Sequence, residues 1–94
     1  MTMDETDLHL DGNAAAGPLA AIFGREMTTA WAVCAGCGTE GMVGSLMEYG
    51  GGMGIILRCP DCDLALIRVT RIRSEYWLDT RNVSVLRMPA AAIL

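Results

Sequence analysis

Two cysteine pairs, Cys34-Ala35-Gly36-Cys37 and Cys59-Pro60-Asp61-Cys62, separated by twenty-one residues, constrain this chain more than any other feature. Four thiolates delivered in two tight turns can occupy the corners of a tetrahedron, an arrangement zinc accepts because its filled d shell imposes no geometry of its own. Within a Cys-x-x-Cys turn the amides after the first cysteine point back at its sulfur and offset the thiolate charge. Such turns need small or turn-favouring residues. Gly36 and Gly38 can take positive φ without strain, and Pro60 presets the second turn. Asp63 stands where Gly38 stands in the first, and Asp tolerates left-handed backbone better than most residues. With Cys34, Cys37, Cys59 and Cys62 all supplying sulfur, no coordination position is left for water, so zinc catalysis is not expected.

Composition agrees with a small metal-stapled fold. Ninety-four residues make one domain, and a domain of that size buries a modest fraction of its surface, so one structural ion adds a large share of its stability. Apolar residues make up 52% and charged ones 19%, a balance that folds rather than stays disordered. The net charge of -4 falls to about -6 with four thiolates and one Zn²⁺ added. That field does not attract nucleic acid or anionic membrane in general. Its distribution is uneven: Asp4, Glu5, Asp7 and Asp11 crowd the start, whereas residues 58 to 87 carry six arginines against Asp61, Asp63, Glu75 and Asp79. Nucleic acid is therefore a partner to consider only through the arginine-rich C-terminal half. No apolar run reaches the roughly 20 residues that span a bilayer, and the stretch Ala14 to Phe23 is preceded by acids rather than the basic flank of a signal peptide. The expectation is a cytoplasmic protein without membrane attachment, whose thiols stay reduced and bind metal instead of forming disulfides.

Taken in order, residues 1–10 read as a flexible acidic arm containing the one histidine, His9. Residues 11–88 read as a single zinc-ribbon domain that opens with a helical segment over 11–24. Asp11 or Asn13 caps it, Pro18 kinks or restarts it, Gly24 ends it, and Leu19, Ile22 and Phe23 form its apolar stripe. Strands are predicted over 28–33, 42–49, 55–59, 64–73, 76–80 and 83–88, divided by Gly, Pro and Asp, with residues 73–75 as the turn of a last hairpin. Gly50-Gly51-Gly52-Met53-Gly54 is a hairpin tip, since no Gly-Lys-Ser/Thr and no helix follow it to cradle phosphate. Residues 89–94 form an apolar C-terminal tail; with the exposed strand edges of a ribbon, it makes a homodimer an option. The fold class is small α+β, mainly β: a zinc ribbon of antiparallel hairpins with an N-terminal helical segment.

Three other uses of the cysteines fit the sequence less well. A rubredoxin-like iron site has the same paired knuckles, but aromatic residues are only 5% of this chain. A thioredoxin-like dithiol belongs at the start of a helix, whereas Gly38-Thr39-Glu40-Gly41 leads into a strand. Structural disulfides suit another redox compartment.

Four separated motifs, Asp11-Gly12-Asn13-Ala14-x-Ala16-Gly17-x-Leu19, Cys34-Ala35-Gly36-Cys37-Gly38, Leu57-Arg58-Cys59-Pro60-x-Cys62 and Trp77-Leu78-Asp79-x-Arg81, occur in one order. Across residues 9 to 88 the chain resembles a family of small bacterial proteins catalogued as a domain of unknown function. The resemblance implies a zinc-ribbon-like domain with an N-terminal helical segment and brings no substrate, partner or catalytic residue. Many relatives have glycine where this chain has Asp63.

The functional expectation is a noncatalytic structural zinc ribbon serving as an interaction module, with a protein partner and a setting in transcription or RNA metabolism, the latter by fold analogy alone. The alternative is a rubredoxin-like iron electron carrier or a thiol redox sensor. No Ser/His/Asp set exists to support an enzyme. The candidate binding residues are Trp77, Asp79 and Arg81, which share one face of a strand, and Arg71 and Arg73, which share one face of the strand before. If those faces coincide, a ring flanked by guanidinium groups results, suited to a base or a carboxylate. The default reading of Trp77 is a core residue packed on the helix stripe.

Overall fold

The computed structural model describes residues 10–51 and 54–90. The arm expected over the first residues falls outside them, except that Leu10 and Asp11 form a short strand, β1 (Leu10–Asp11), paired antiparallel with Glu48 and Met47. A 3-10 turn over Gly12–Ala15 follows, capped by the Asp11 carboxylate, which accepts the Asn13 N–H. The helix proper, α1 (Ala16–Phe23), restarts with Pro18 in its first turn, where the missing amide hydrogen costs nothing. It stops at Gly24, whose φ of 72° is the left-handed value that lets its N–H return to Ala20 O. Leu19 is fully buried, and Ile22 and Phe23 pack beside it against the core, as their spacing predicts.

Seven further strands follow: β2 (Trp31–Cys34), β3 (Glu40–Met42), β4 (Met47–Gly51), β5 (Gly54–Arg58), β6 (Ala65–Ile72), β7 (Glu75–Asp79) and β8 (Val83–Arg87). They form two antiparallel sheets among the described residues, one in the order β1-β4-β5-β6-β7 and one in the order β3-β2-β8. One face of the larger sheet sends Leu57, Ile67 and Val69 into a core shared with Ala15, Leu19, Met27, Ala32, Val43 and Leu46.

Two expected strands change. The one predicted over 28–33 begins only at Trp31, because the Glu26 carboxylate gathers the Thr28 amide and both threonine hydroxyls into a turn. The one predicted over 42–49 is two strands in different sheets, separated by a 3-10 turn at Val43–Ser45. There the Val43 and Gly44 amides donate to Ala30 O and Thr28 O. The N-terminal turn lies so close that a side chain on Gly12 would meet Val43 O at 1.9 Å, and one on Gly44 would meet Asn13 Oδ1 at 2.5 Å. Two glycines thus let backbone pack on backbone, and the chain crosses from one sheet to the other at that contact.

Of the tail, Pro89 O accepts a bond from Arg25 Nη2, and residues 91–94 lie outside the described residues.

Candidate metal centre

Each cysteine pair sits in the turn of a hairpin. The first joins β2 to β3 and the second joins β5 to β6. Their backbones are equivalent bond for bond: Gly38 N–H donates to Cys34 O and Asp63 N–H to Cys59 O, while Cys34 N–H donates to Thr39 O and Cys59 N–H to Leu64 O. The residue that closes each turn is left-handed, Gly38 at φ 78° and Asp63 at φ 65°. Asp63 therefore does what a glycine does there, and the Arg58 guanidinium holds it by donating to its carbonyl.

The two hairpins bring all four sulfurs within 4.8 Å of one another. Across the knuckles, Cys34 Sγ is 3.6 Å from Cys62 Sγ and Cys37 Sγ is 3.7 Å from Cys59 Sγ. A tetrahedron with metal–sulfur bonds of about 2.3 Å has edges of about 3.8 Å. A disulfide bond of about 2.05 Å is excluded. The donor set and its spacing fit one ion. Cys34 and Cys59, the first of each pair, are buried; Cys37 and Cys62 are exposed.

Polar groups support this cluster. Gly36 N–H points at Cys34 Sγ from 3.3 Å. The Thr39 hydroxyl lies 3.1 Å from Cys37 Sγ and donates to Asp61 Oδ2 at 2.7 Å, tying one knuckle to the other. The Thr39 side chain and backbone bring the Cys37 thiol down to about 6. For Cys62 the Leu64 amide pulls the other way, yet desolvation and the three neighbouring thiols outweigh it and push the group up to about 12. The neighbouring thiols thus disfavour the Cys62 thiolate where no cation is bound, and metal uptake there releases a proton. Asn82 closes the arrangement from behind: its carbonyl accepts Ala35 N–H at 2.8 Å and its Nδ2 donates to Ala65 O at 2.9 Å, joining the first knuckle to the strand that leaves the second.

The second group of candidate residues is not assembled as expected. Trp77 is 59% exposed rather than packed in the core. The β6–β7 loop has two residues, Arg73 and Ser74, with Arg73 at φ 58°, so Ile72 pairs with Glu75 and Thr70 with Trp77. A three-residue turn over 73–75 would instead pair Arg71 with Trp77. One residue of slip turns every side chain over. Arg71 therefore shares the Tyr76 face, and the residues beside Trp77 are Thr70, Arg68 and Asp79. Asp79 Oδ1 accepts from both the backbone N–H and Nε of Arg81, bonds that hold the Asp79 carboxyl below its ordinary range. Arg68, Thr39 and Asn82 escaped sequence reasoning. The signal for Arg68 was the hairpin register; the other two carry no local signature.

Fold and site together define a small, mainly β protein with one N-terminal helix, built on a four-cysteine cluster able to hold a single metal ion. The chain belongs to the family described as "Family of unknown function (DUF6510)", whose profile matches residues 4–91. No curated protein and no solved structure is matched. Among the described residues no helix is long and apolar enough to cross a membrane.

Proposed function

We propose that the protein is a noncatalytic zinc ribbon whose ion is structural and whose β6–β7 hairpin is an interaction surface. The observation that carries the first half is the convergence of four sulfurs at the junction of two hairpins with identical backbone turns. Structural zinc contributes roughly 10 to 16 kcal/mol of apparent binding free energy in finger peptides, more than the whole stability of many small domains. Support for zinc over iron is the chain's low aromatic content, 5%, since rubredoxin-type iron sites are shielded by aromatic rings. Support for a noncatalytic role is the all-sulfur donor set, which leaves no open position. The free thiols suit a reducing compartment, the cytoplasm.

The second half rests on the hairpin, where Ile72, Tyr76, Trp77 and Leu78 are all exposed. Trp, Tyr and Arg are the side chains that dominate binding energy at interfaces. Thiol redox sensing is the second reading, favoured by the exposure of Cys37 and Cys62 to oxidants. Chelation tests the proposal. Removing zinc should collapse both hairpins and abolish cross-linking of partners to a photoreactive residue placed at position 76. A folded, cross-linking apoprotein would refute it, and one-electron colour changes on oxidation would favour iron.

A further inference from the structure

Directly paired residues of an antiparallel sheet project to the same side. On the side of the larger sheet away from the core, Tyr49, Ile56, Arg68 and Asp79 form one row across β4 to β7, and Gly54, Thr70 and Trp77 form the next. The second row steps from no side chain through a short one to a tall ring. Gly54 is held to that minimum, since a Cβ there would meet Val69 O at 2.5 Å. The result is a trough. Two concavities of about 510 and 430 Å³ meet in it, sharing Arg68 and Thr70. Trp77 and Arg81 wall one end, and Tyr49, with the Arg58 guanidinium 5.6 Å from its ring centre, stands at the other.

The chemistry of this wall is specific. Asp79 holds Arg81 through the backbone and Nε. The two terminal amino groups of that guanidinium make no bond among the described residues, so the fork is oriented yet unspent. Arg68 stands exposed between Arg81 and the centre of the trough. The hairpin from 65 to 81 carries four arginines against Glu75 and Asp79, a basic segment in a chain of net charge -4. A second copy pairing along β7 is disfavoured: an antiparallel edge centred on Trp77 would set Glu75 of each copy opposite Asp79 of the other.

We infer that this face binds single-stranded nucleic acid, with a base stacked on Trp77 and backbone phosphates held by Arg68 and Arg81. The inference rests on the interaction-surface reading and names its partner. Tyr49 and Trp77 are three strands and two residues apart, about 16 Å at ordinary strand spacing, so the occupant is a strand of several nucleotides and not one. Rings with adjacent guanidinium groups bind bases of any identity, so sequence preference is weak.

The test uses the zinc-loaded full chain and fluorescein-labelled octamers, U8, dT8 and a mixed-sequence duplex, followed by anisotropy. Single strands should bind, and the duplex should bind at least about tenfold more weakly. With two phosphates neutralised by Arg68 and Arg81, affinity should fall about sevenfold between 50 and 200 mM salt. Trp77→Ala should weaken binding about tenfold or more, and Trp77→Phe should restore most of it. Arg68→Ala should reduce the salt slope by about 0.7. Trp31→Ala, on the other sheet, should change nothing. U8 against dT8 shows whether the strand is RNA or DNA. The inference is overturned if neither single strand binds at 1 mM protein, if UMP binds as tightly as U8, or if Trp77→Ala and Arg68→Ala leave affinity unchanged. Loss of this inference with a zinc-dependent cross-link at position 76 intact would leave the interaction-module reading standing with a protein partner. Zinc-independent folding and cross-linking would remove that reading instead.

Discussion

Asn82 offers the sharpest test of how the metal end of the fold is held together. Its backbone carbonyl takes the Ala35 amide and its side-chain amide reaches Ala65 O at 2.9 Å, so one residue ties the first knuckle to the strand leaving the second. Asn82→Ala keeps the backbone bond and deletes the other. The loss is one net hydrogen bond, about 1 kcal/mol, plus part of the cost of leaving the partly shielded Ala65 carbonyl without a donor, for a total of about 1 to 2 kcal/mol. For a domain of this size each kcal/mol lowers Tm by about 4 to 8 °C, so a drop of about 5 to 15 °C is expected in saturating zinc. The bond also spaces the two sulfur pairs. Zinc affinity, measured by competition with a chromophoric chelator, should therefore fall by up to about tenfold. Asn82→Asp should be worse than Asn82→Ala, because a carboxylate would face the Ala65 carbonyl. An Asn82→Ala protein with unchanged Tm and unchanged zinc affinity would show that the Asn82 side chain plays no part in coupling the two knuckles.

Other perturbations have signs the structure fixes. Glu48 is buried to 7% exposure opposite Leu57, and desolvation, then the charge of Asp11, raises its carboxyl above the ordinary 4.5. The folded state thus binds this proton more tightly than the unfolded chain, so its stabilising contribution is complete below about 4.5 and is lost as pH rises through the raised folded value. Glu48→Gln should raise Tm at pH 7, with the gain vanishing toward pH 4.5; a lower Tm at pH 7 would contradict the assignment. Gly38→Ala has room for its methyl but must hold φ 78°, so it should cost about 1 kcal/mol in a denaturant titration. Gly12→Ala, whose Cβ would strike Val43 O, should cost clearly more, and equal costs would refute the backbone-contact account.

What could be read from sequence followed physical strength. The four cysteines are legible because metal geometry dictates both spacing and turn chemistry, and the alignment of Asp63 with Gly38 points by itself to left-handed backbone there. The helix end at Gly24 and the stripe of Leu19, Ile22 and Phe23 follow from local rules. The break at Val43–Ser45 was hidden, because it is caused by a distant segment pressing Gly12 against it. The surroundings of Trp77 differ from the expectation for another reason. Alternation along β6 and β7 holds, but the loop between them has two residues rather than three, and that register sets Arg68 rather than Arg71 on the Trp77 face. Thr39 and Asn82 act across the site through tertiary hydrogen bonds, which leave no local pattern.

The central claim, one ion held by Cys34, Cys37, Cys59 and Cys62, is tested most directly by native mass spectrometry with elemental analysis of the purified protein. The account predicts one zinc per chain, a colourless solution, and loss of the ion together with the fold when any of the four becomes serine. A folded, metal-free chain with four thiols open to alkylation would contradict it, and so would a red protein carrying iron.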